Sequence, residues 1–130
     1  MSRKAIIRCV DPRYNDAIAE LLEKMGLTGS SHIPPFPVPG ASLSAVGTIP
    51  YLRFVIGHLD VSEIWIVDHL DCKAYELQGR DNDWKSHVHL LRSAEKKLRA
   101  SFPNCVSRLF LMPAPEEDGR VAAGKVEEIG

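Results

Sequence analysis

The chain has 130 residues, 45% of them apolar and 25% charged, which is the size and composition of one globular domain that can bury a core without disulfides. Lys plus Arg is 16 and Asp plus Glu is 17, a formal charge of -1. That balance excludes the basic excess of a nucleic-acid binder and a polybasic membrane anchor. No apolar run reaches the roughly 18–20 residues of a membrane span, and the run after Arg3 and Lys4 is too short for a signal peptide, so the expected compartment is the cytoplasm. Three cysteines, an odd number, fit reduced thiols or a metal site better than a disulfide framework.

Residues 3–9 carry the apolar run Ala5-Ile6-Ile7 and end at Asp11-Pro12, which predicts a buried strand. Asn15 is a candidate N-cap. Ile18, Leu21, Leu22 and Met25 then share one helical face, and Gly26 is placed to end that helix. Pro34, Pro35, Pro37 and Pro39 exclude helix from residues 28–42, leaving Phe36 to Val38 as a short edge strand. Residues 42–60 read as mostly helical. Pro50 falls in the first turn of the main helix, Thr48 near its cap, and Leu52, Val55, Ile56 and Leu59 form its apolar face. Ile64-Trp65-Ile66-Val67 is the pattern of a central parallel strand.

Residues 68–81 read as a polar loop. Asp81 or Asn82 would cap a helix running to about Ala100, with Trp84, Val88, Leu91 and Leu98 on its buried face; Trp65 and Trp84 read as core. Residues 106–112 form the last strand, stopped by Pro113 and Pro115. The expected division is an α/β domain over 1–113 and a flexible C-terminal tail over 114–130.

Alternating strands and helices predict an α/β fold: one mostly parallel sheet with helices on both faces. The economical strand order is 2-1-3-4. Ligands of such sheets bind beyond the carboxyl ends of the strands, where the order reverses. The first strand ends in Cys9-Val10-Asp11-Pro12-Arg13 and the third in Asp68-His69-Leu70-Asp71-Cys72. Neighbouring strands would therefore bring Cys9, His69 and Cys72 together, and two thiolates with an imidazole are a zinc-type ligand set. Asp11 and Arg13, two residues apart, are placed to pair. Cys105 falls on the opposite, amino side of the sheet.

The motif C-x-D-x-R, followed by H-x-x-C, resembles the β-class carbonic anhydrases. The resemblance covers residues 3–75 and, in element order, continues to about Met112. It implies Zn2+ held by Cys9, His69 and Cys72, with the family's Asp–Arg dyad on Asp11 and Arg13. It also implies hydration of carbon dioxide to bicarbonate by a zinc-bound hydroxide, and a homodimer or dimer of dimers. Arg13 would hold Asp11 ionised and off the metal, and Asp11 would orient the hydroxide. Asp68, Asp71 and Lys73 stand where the family usually has small residues, and its anion-binding loop is represented only by Val38-Pro39-Gly40-Ala41-Ser42.

Two other functions fit the same residues. One is hydrolysis of carbonyl sulfide or carbon disulfide on the same zinc; the other is a non-catalytic zinc-binding protein of the same fold. Phe36, Val38, Leu43 and Tyr75 are candidates to line an apolar substrate pocket. The amides of Gly40 to Ser42, at a helix start, are candidates to bind an anion. His32, His58, His87 and His89 read as ordinary polar residues, His32 being the one placed near the expected site mouth.

Overall fold

A computed structural model describes residues 2–116 and 125–130. Strand β1 (Arg3–Cys9) leads through a 3-10 turn at Pro12–Tyr14 into helix α1 (Asn15–Lys24). Strand β2 (Phe36–Val38) is followed by a 3-10 segment, Ala41–Thr48, and helix α2 (Ile49–His58). Strand β3 (Val61–His69), helices α3 (Lys73–Leu77) and α4 (Trp84–Ser101), and strands β4 (Val106–Met112) and β5 (Glu127–Ile129) complete the order. The sheet runs β2-β1-β3-β4-β5. The first four strands are parallel, and β5 is antiparallel to β4. The predicted order 2-1-3-4 is therefore present, with a fifth strand at its edge.

The central strands are apolar throughout because both of their faces are covered. Ala5, Ile7, Ile64, Ile66, Leu109 and Leu111 point to the face carrying α2, α4 and the 3-10 segment. Their alternates Ile6, Trp65, Val67, Phe110 and Met112 point to the face covered by α1. This two-residue alternation continues to the strand ends. It sends consecutive residues Asp68 and His69 to opposite sides of the sheet.

Helix α1 buries Ala17, Ile18, Leu21 and Leu22. It ends where Gly26 adopts φ +73 and the amides of Gly26 and Leu27 bond back to Glu23 and Leu22, the left-handed stop for which glycine is suited. Asn15 is the first residue of this helix rather than its cap. The capping carboxylate lies one turn earlier: Asp11 accepts from the Arg13 amide across the Pro12–Tyr14 turn.

Four further expectations are corrected. The stretch 68–81 is not all loop: β3 runs to His69, and α3 follows within four residues. With five residues, α3 is too short to show a helical period. Helix α4 is capped by Asp83, whose carboxylate accepts from the Ser86 amide, rather than by Asp81 or Asn82. Its buried stripe is His87, Leu91, Ala94 and Leu98, leaving Trp84 39% exposed rather than in the core. In the segment read as a tail, residues 117–124 lie outside the described residues, while Glu127–Ile129 pairs with Leu109–Leu111 of β4. Arg108 holds this strand with a two-pronged bond to Glu128 at 2.6 and 2.7 Å, and its guanidinium lies 5.1 Å from the Trp65 ring centre, within cation–π range. Among the described residues no helix is long and apolar enough to cross a membrane.

Candidate metal centre

Pairing of β1 with β3, in the register Ile7 to Ile66 and Arg8 to Val67, sets Cys9 beside the end of β3. His69 is the last residue of that strand. Cys72 lies three residues on, after a sharp turn in which Asp71 adopts φ +58, a left-handed conformation that Asp tolerates better than most residues. The donor atoms of Cys9, His69 and Cys72 all lie within 4.8 Å of one another, and all three residues are buried. Sequence reasoning placed these three together, and the structure brings them together.

The donors fit a metal ion. Cys9 Sγ and Cys72 Sγ are 3.9 Å apart, far beyond a disulfide bond. Two thiolates on one tetrahedral ion, each at about 2.3 Å, stand about 3.8 Å apart. The imidazole gives the second observation. His69 Nδ1 lies 2.6 Å from the Leu70 carbonyl, which can only accept, so Nδ1 carries the proton and Nε2 keeps its lone pair. That Nε2 is buried and has no hydrogen-bond partner among the described residues. A buried polar atom with no partner is uncommon, and a metal ion beside two sulfurs would satisfy it. This group can hold a metal ion.

The two thiols influence each other as a close buried pair must. A hydrogen bond from Cys72 pulls the Cys9 thiol well below the ordinary range, against the opposing effect of burial. The same bond, with burial, pushes Cys72 up. A cation that takes both sulfurs as thiolates would displace their protons.

Asp11 and Arg13 meet at the mouth of this group. Arg13 Nε and Nη2 reach Asp11 Oδ2 at 3.0 and 2.6 Å, and these hydrogen bonds hold the Asp11 carboxyl below its ordinary value. Asp11 Oδ2 stands 4.0 Å from His69 Nε2. Arg13 also spans to the H-x-x-C segment, where Nη1 meets Asp71 Oδ2 and Nη2 the Asp71 carbonyl, each at 3.2 Å.

Several neighbours carry no sequence motif. Arg8 donates to the Cys9 and Asp11 carbonyls at 2.8 and 2.9 Å, fixing the backbone around the first ligand. Tyr14 stacks on the His69 ring, centroids 4.0 Å apart. Its hydroxyl lies 3.0 Å from the Pro113 carbonyl. Behind the ligands, Asp68 is 1% exposed and His87 0%. Asp68 Oδ2 takes His87 Nδ1 at 2.9 Å, Tyr75 OH at 2.8 Å and Ser42 Oγ at 2.6 Å. His87 lies outside the donor group, as expected of a polar residue that is no ligand, but it is fully buried. Its position on one stripe with Leu91, Ala94 and Leu98 is the pattern that reveals it.

Other expected site features move. The Ser42 amide does meet an anion, but that anion is the protein's own Asp68 Oδ1 at 2.9 Å. Gly40 precedes it at φ +74, where an added Cβ would lie 2.9 Å from Leu43 Cβ. Of the candidate pocket residues, Leu43 and Tyr75 pack around Cys9 and Cys72, whereas Phe36 stacks on Tyr51. His32 bridges to Lys4, at the amino end of β1 and away from the site mouth. Cys105, beside Val61, lies at that same end, as expected. An open cleft of 530 Å3 between α1 and β4, near Leu21, Met25 and Phe110, contains none of these site residues.

A solved structure, a carbonic anhydrase from Glaciozyma antarctica, superposes with a TM-score of 0.63 over 93% of this chain and 80% of that one, at 16% identity. The fold is that of a carbonic anhydrase. The buried Cys-His-Cys group is like the zinc site that the resemblance to the β-class enzymes implied. No family model and no curated protein sequence matches the chain. At this identity the likeness to the carbonic anhydrase concerns architecture, and the chemistry rests on the residues.

Proposed function

We propose that the chain is a zinc-dependent carbonic anhydrase that hydrates carbon dioxide to bicarbonate, with Cys9, His69 and Cys72 as the metal ligands. The observation that carries this reading is the buried, unpartnered Nε2 of His69. It lies in one group with two thiols and 4.0 Å from an arginine-held carboxylate. Bound there, zinc supplies Lewis acidity that brings the pKa of a water towards ~7, making a nucleophile available at neutral pH.

The chain's own groups do the rest. Leu70's carbonyl and Tyr14's ring hold the imidazole with Nε2 facing the thiols. Arg13 keeps Asp11 ionised and turned along the guanidinium. Asp11 Oδ2 then accepts a hydrogen bond from the attacking water and orients its remaining lone pair towards the substrate carbon. Arg13 is a positioning residue here: it acts through Asp11.

Stopped-flow CO2 hydration, on protein whose zinc content has been assayed, tests the reading. Activity at one zinc per chain supports it. Full zinc occupancy without hydration would overturn it and direct the assay to carbonyl sulfide and carbon disulfide. A cytoplasmic homodimer or dimer of dimers belongs to the same reading. Light scattering after size exclusion decides the oligomer, and a monomer at micromolar concentration counts against it.

A further inference from the structure

His87 makes two hydrogen bonds, and the identity of its partners sets its role. On one side Nδ1 meets Asp68 Oδ2 at 2.9 Å. On the other Nε2 meets Asn82 Oδ1 at 2.8 Å. The orientation of the Asn82 amide is not free, because Asn82 Nδ2 donates to the Cys72 carbonyl and Oδ1 accepts from the Cys72 amide, each at 3.0 Å. Asn82 Oδ1 is thus an acceptor, and Nε2 of His87 must donate to it. Asp68 immediately precedes His69, and Asn82 grips Cys72 by its backbone. One fully buried imidazole therefore connects to both segments that carry the H-x-x-C donors. The Tyr75 ring stacks on it with centroids 3.9 Å apart, and Tyr75 itself packs against Cys9 and Cys72.

We propose that His87 is a positioning residue for the metal centre. Through Asn82 it fixes the backbone of Cys72, and through Asp68 it fixes the end of the strand that carries His69. The inference rests on the reading of Cys9, His69 and Cys72 as metal ligands. Its physical content is preorganisation: the donors at the end of β3 and on the turn after it are held in place by α4 before an ion arrives. Outer partners of metal ligands act in this way by restricting their orientation. Without His87, Asn82 would keep its bonds to Cys72 but lose its anchor on α4, and Asp68 would lose the hydrogen-bond partner that holds it on that side.

The test measures metal affinity rather than activity. Zinc is titrated into metal-free protein against a chromophoric chelator, and the absorption spectrum of the cobalt(II) form reports ligand geometry. Asn82→Ala is the mild variant, since Asn82 is only half-buried and stands before α4. His87→Gln retains an amide that can reach Asn82 but leaves Asp68 without its partner on α4. Both are expected to weaken zinc binding by about 10–100-fold and to alter the cobalt spectrum. Leu98→Ala, a cavity in the core of the same helix, controls for stability: it should lower the melting temperature while zinc affinity and cobalt spectrum stay as in the parent. Parent-like affinity and spectrum in both Asn82→Ala and His87→Gln would overturn the proposal. If His87→Gln does not fold, His87→Asn, which keeps a partner for Asp68 but cannot reach Asn82, takes its place in the same titration. A parent chain that binds no zinc, or a Cys9→Ser variant that binds it as the parent does, would overturn the metal reading itself and this inference with it.

Discussion

Asp11 and Asp68 flank the same three donors from opposite sides. Asp11 stands at the mouth, where its partner Arg13 is 39% exposed and shared with Asp71. Asp68 stands behind, where it and its partner His87 are both sealed from solvent. Each carboxylate lies within two residues of a ligand, yet their surroundings allow different work. At the mouth, water screens the pair, so the bonds can rearrange at little energetic cost and the carboxylate can accept a proton's hydrogen bond from a reacting molecule. Behind the ligands the carboxyl group has no water to turn to, and its four hydrogen-bond partners are all protein. Such a group holds structure in place.

The largest effect should come from the donors that both carboxylates serve. Cys72→Ser or Cys9→Ser is expected to leave dialysed protein without zinc by elemental analysis, and without CO2 hydration. Next is the outer carboxylate. Asp11→Asn should retain zinc but lower kcat/KM for hydration by about 10^2–10^4-fold, the usual contribution of a positioned acid–base group; undiminished hydration would remove Asp11 from the chemistry.

The inner pair should answer in stability instead. His87→Ala takes one of four protein partners from the buried Asp68 carboxyl group, and is expected to destabilise metal-free protein by roughly 1–3 kcal/mol in urea unfolding. A change below about 1 kcal/mol, as for an exposed pair, would erase the contrast between the two sides.

The smallest effect is the pH dependence of the outer pair. Hydrogen bonds from Arg13 lower the folded-state value of Asp11. Its contribution is therefore present above the unfolded carboxyl value and is lost as pH falls through the lower folded one. Because Arg13 is well exposed, that contribution should stay below about 1 kcal/mol. Unfolding curves of parent and Arg13→Ala should diverge above that window and converge below it.

The outer side was legible because its parts are close in sequence. Cys9, Asp11 and Arg13 fall within five residues, and His69 to Cys72 within four, each group at the end of a strand whose apolar run is unmistakable. Strand order then placed the two groups side by side. The inner side draws on Ser42, Asp68, Tyr75, Asn82 and His87, which only the folded chain assembles. A helix face built on Trp84, Val88, Leu91 and Leu98 leaves His87 at its edge, whereas the observed stripe starts at His87 itself. Asn82 resembles a helix cap, and its amide instead holds Cys72. The strand at Glu127–Ile129 carried no apolar alternation; the exposed edge of β4 and the Arg108 guanidinium supply what its own residues lack.

The parallel pairing of β1 with β3 has a kinetic side as well. Its partners are nearly sixty residues apart, from Ile7 to Ile66, and contacts this distant in sequence form slowly during folding. A slip of two residues in that pairing would keep every side chain on its proper face and hide most of its penalty in the apolar core. It would also carry Cys9 roughly 6–7 Å along the sheet, farther than the 4.8 Å that now encloses the three donors. Metal uptake during refolding would therefore act as a register gauge, reporting chains that have paired their central strands correctly and passing over compact chains that have not.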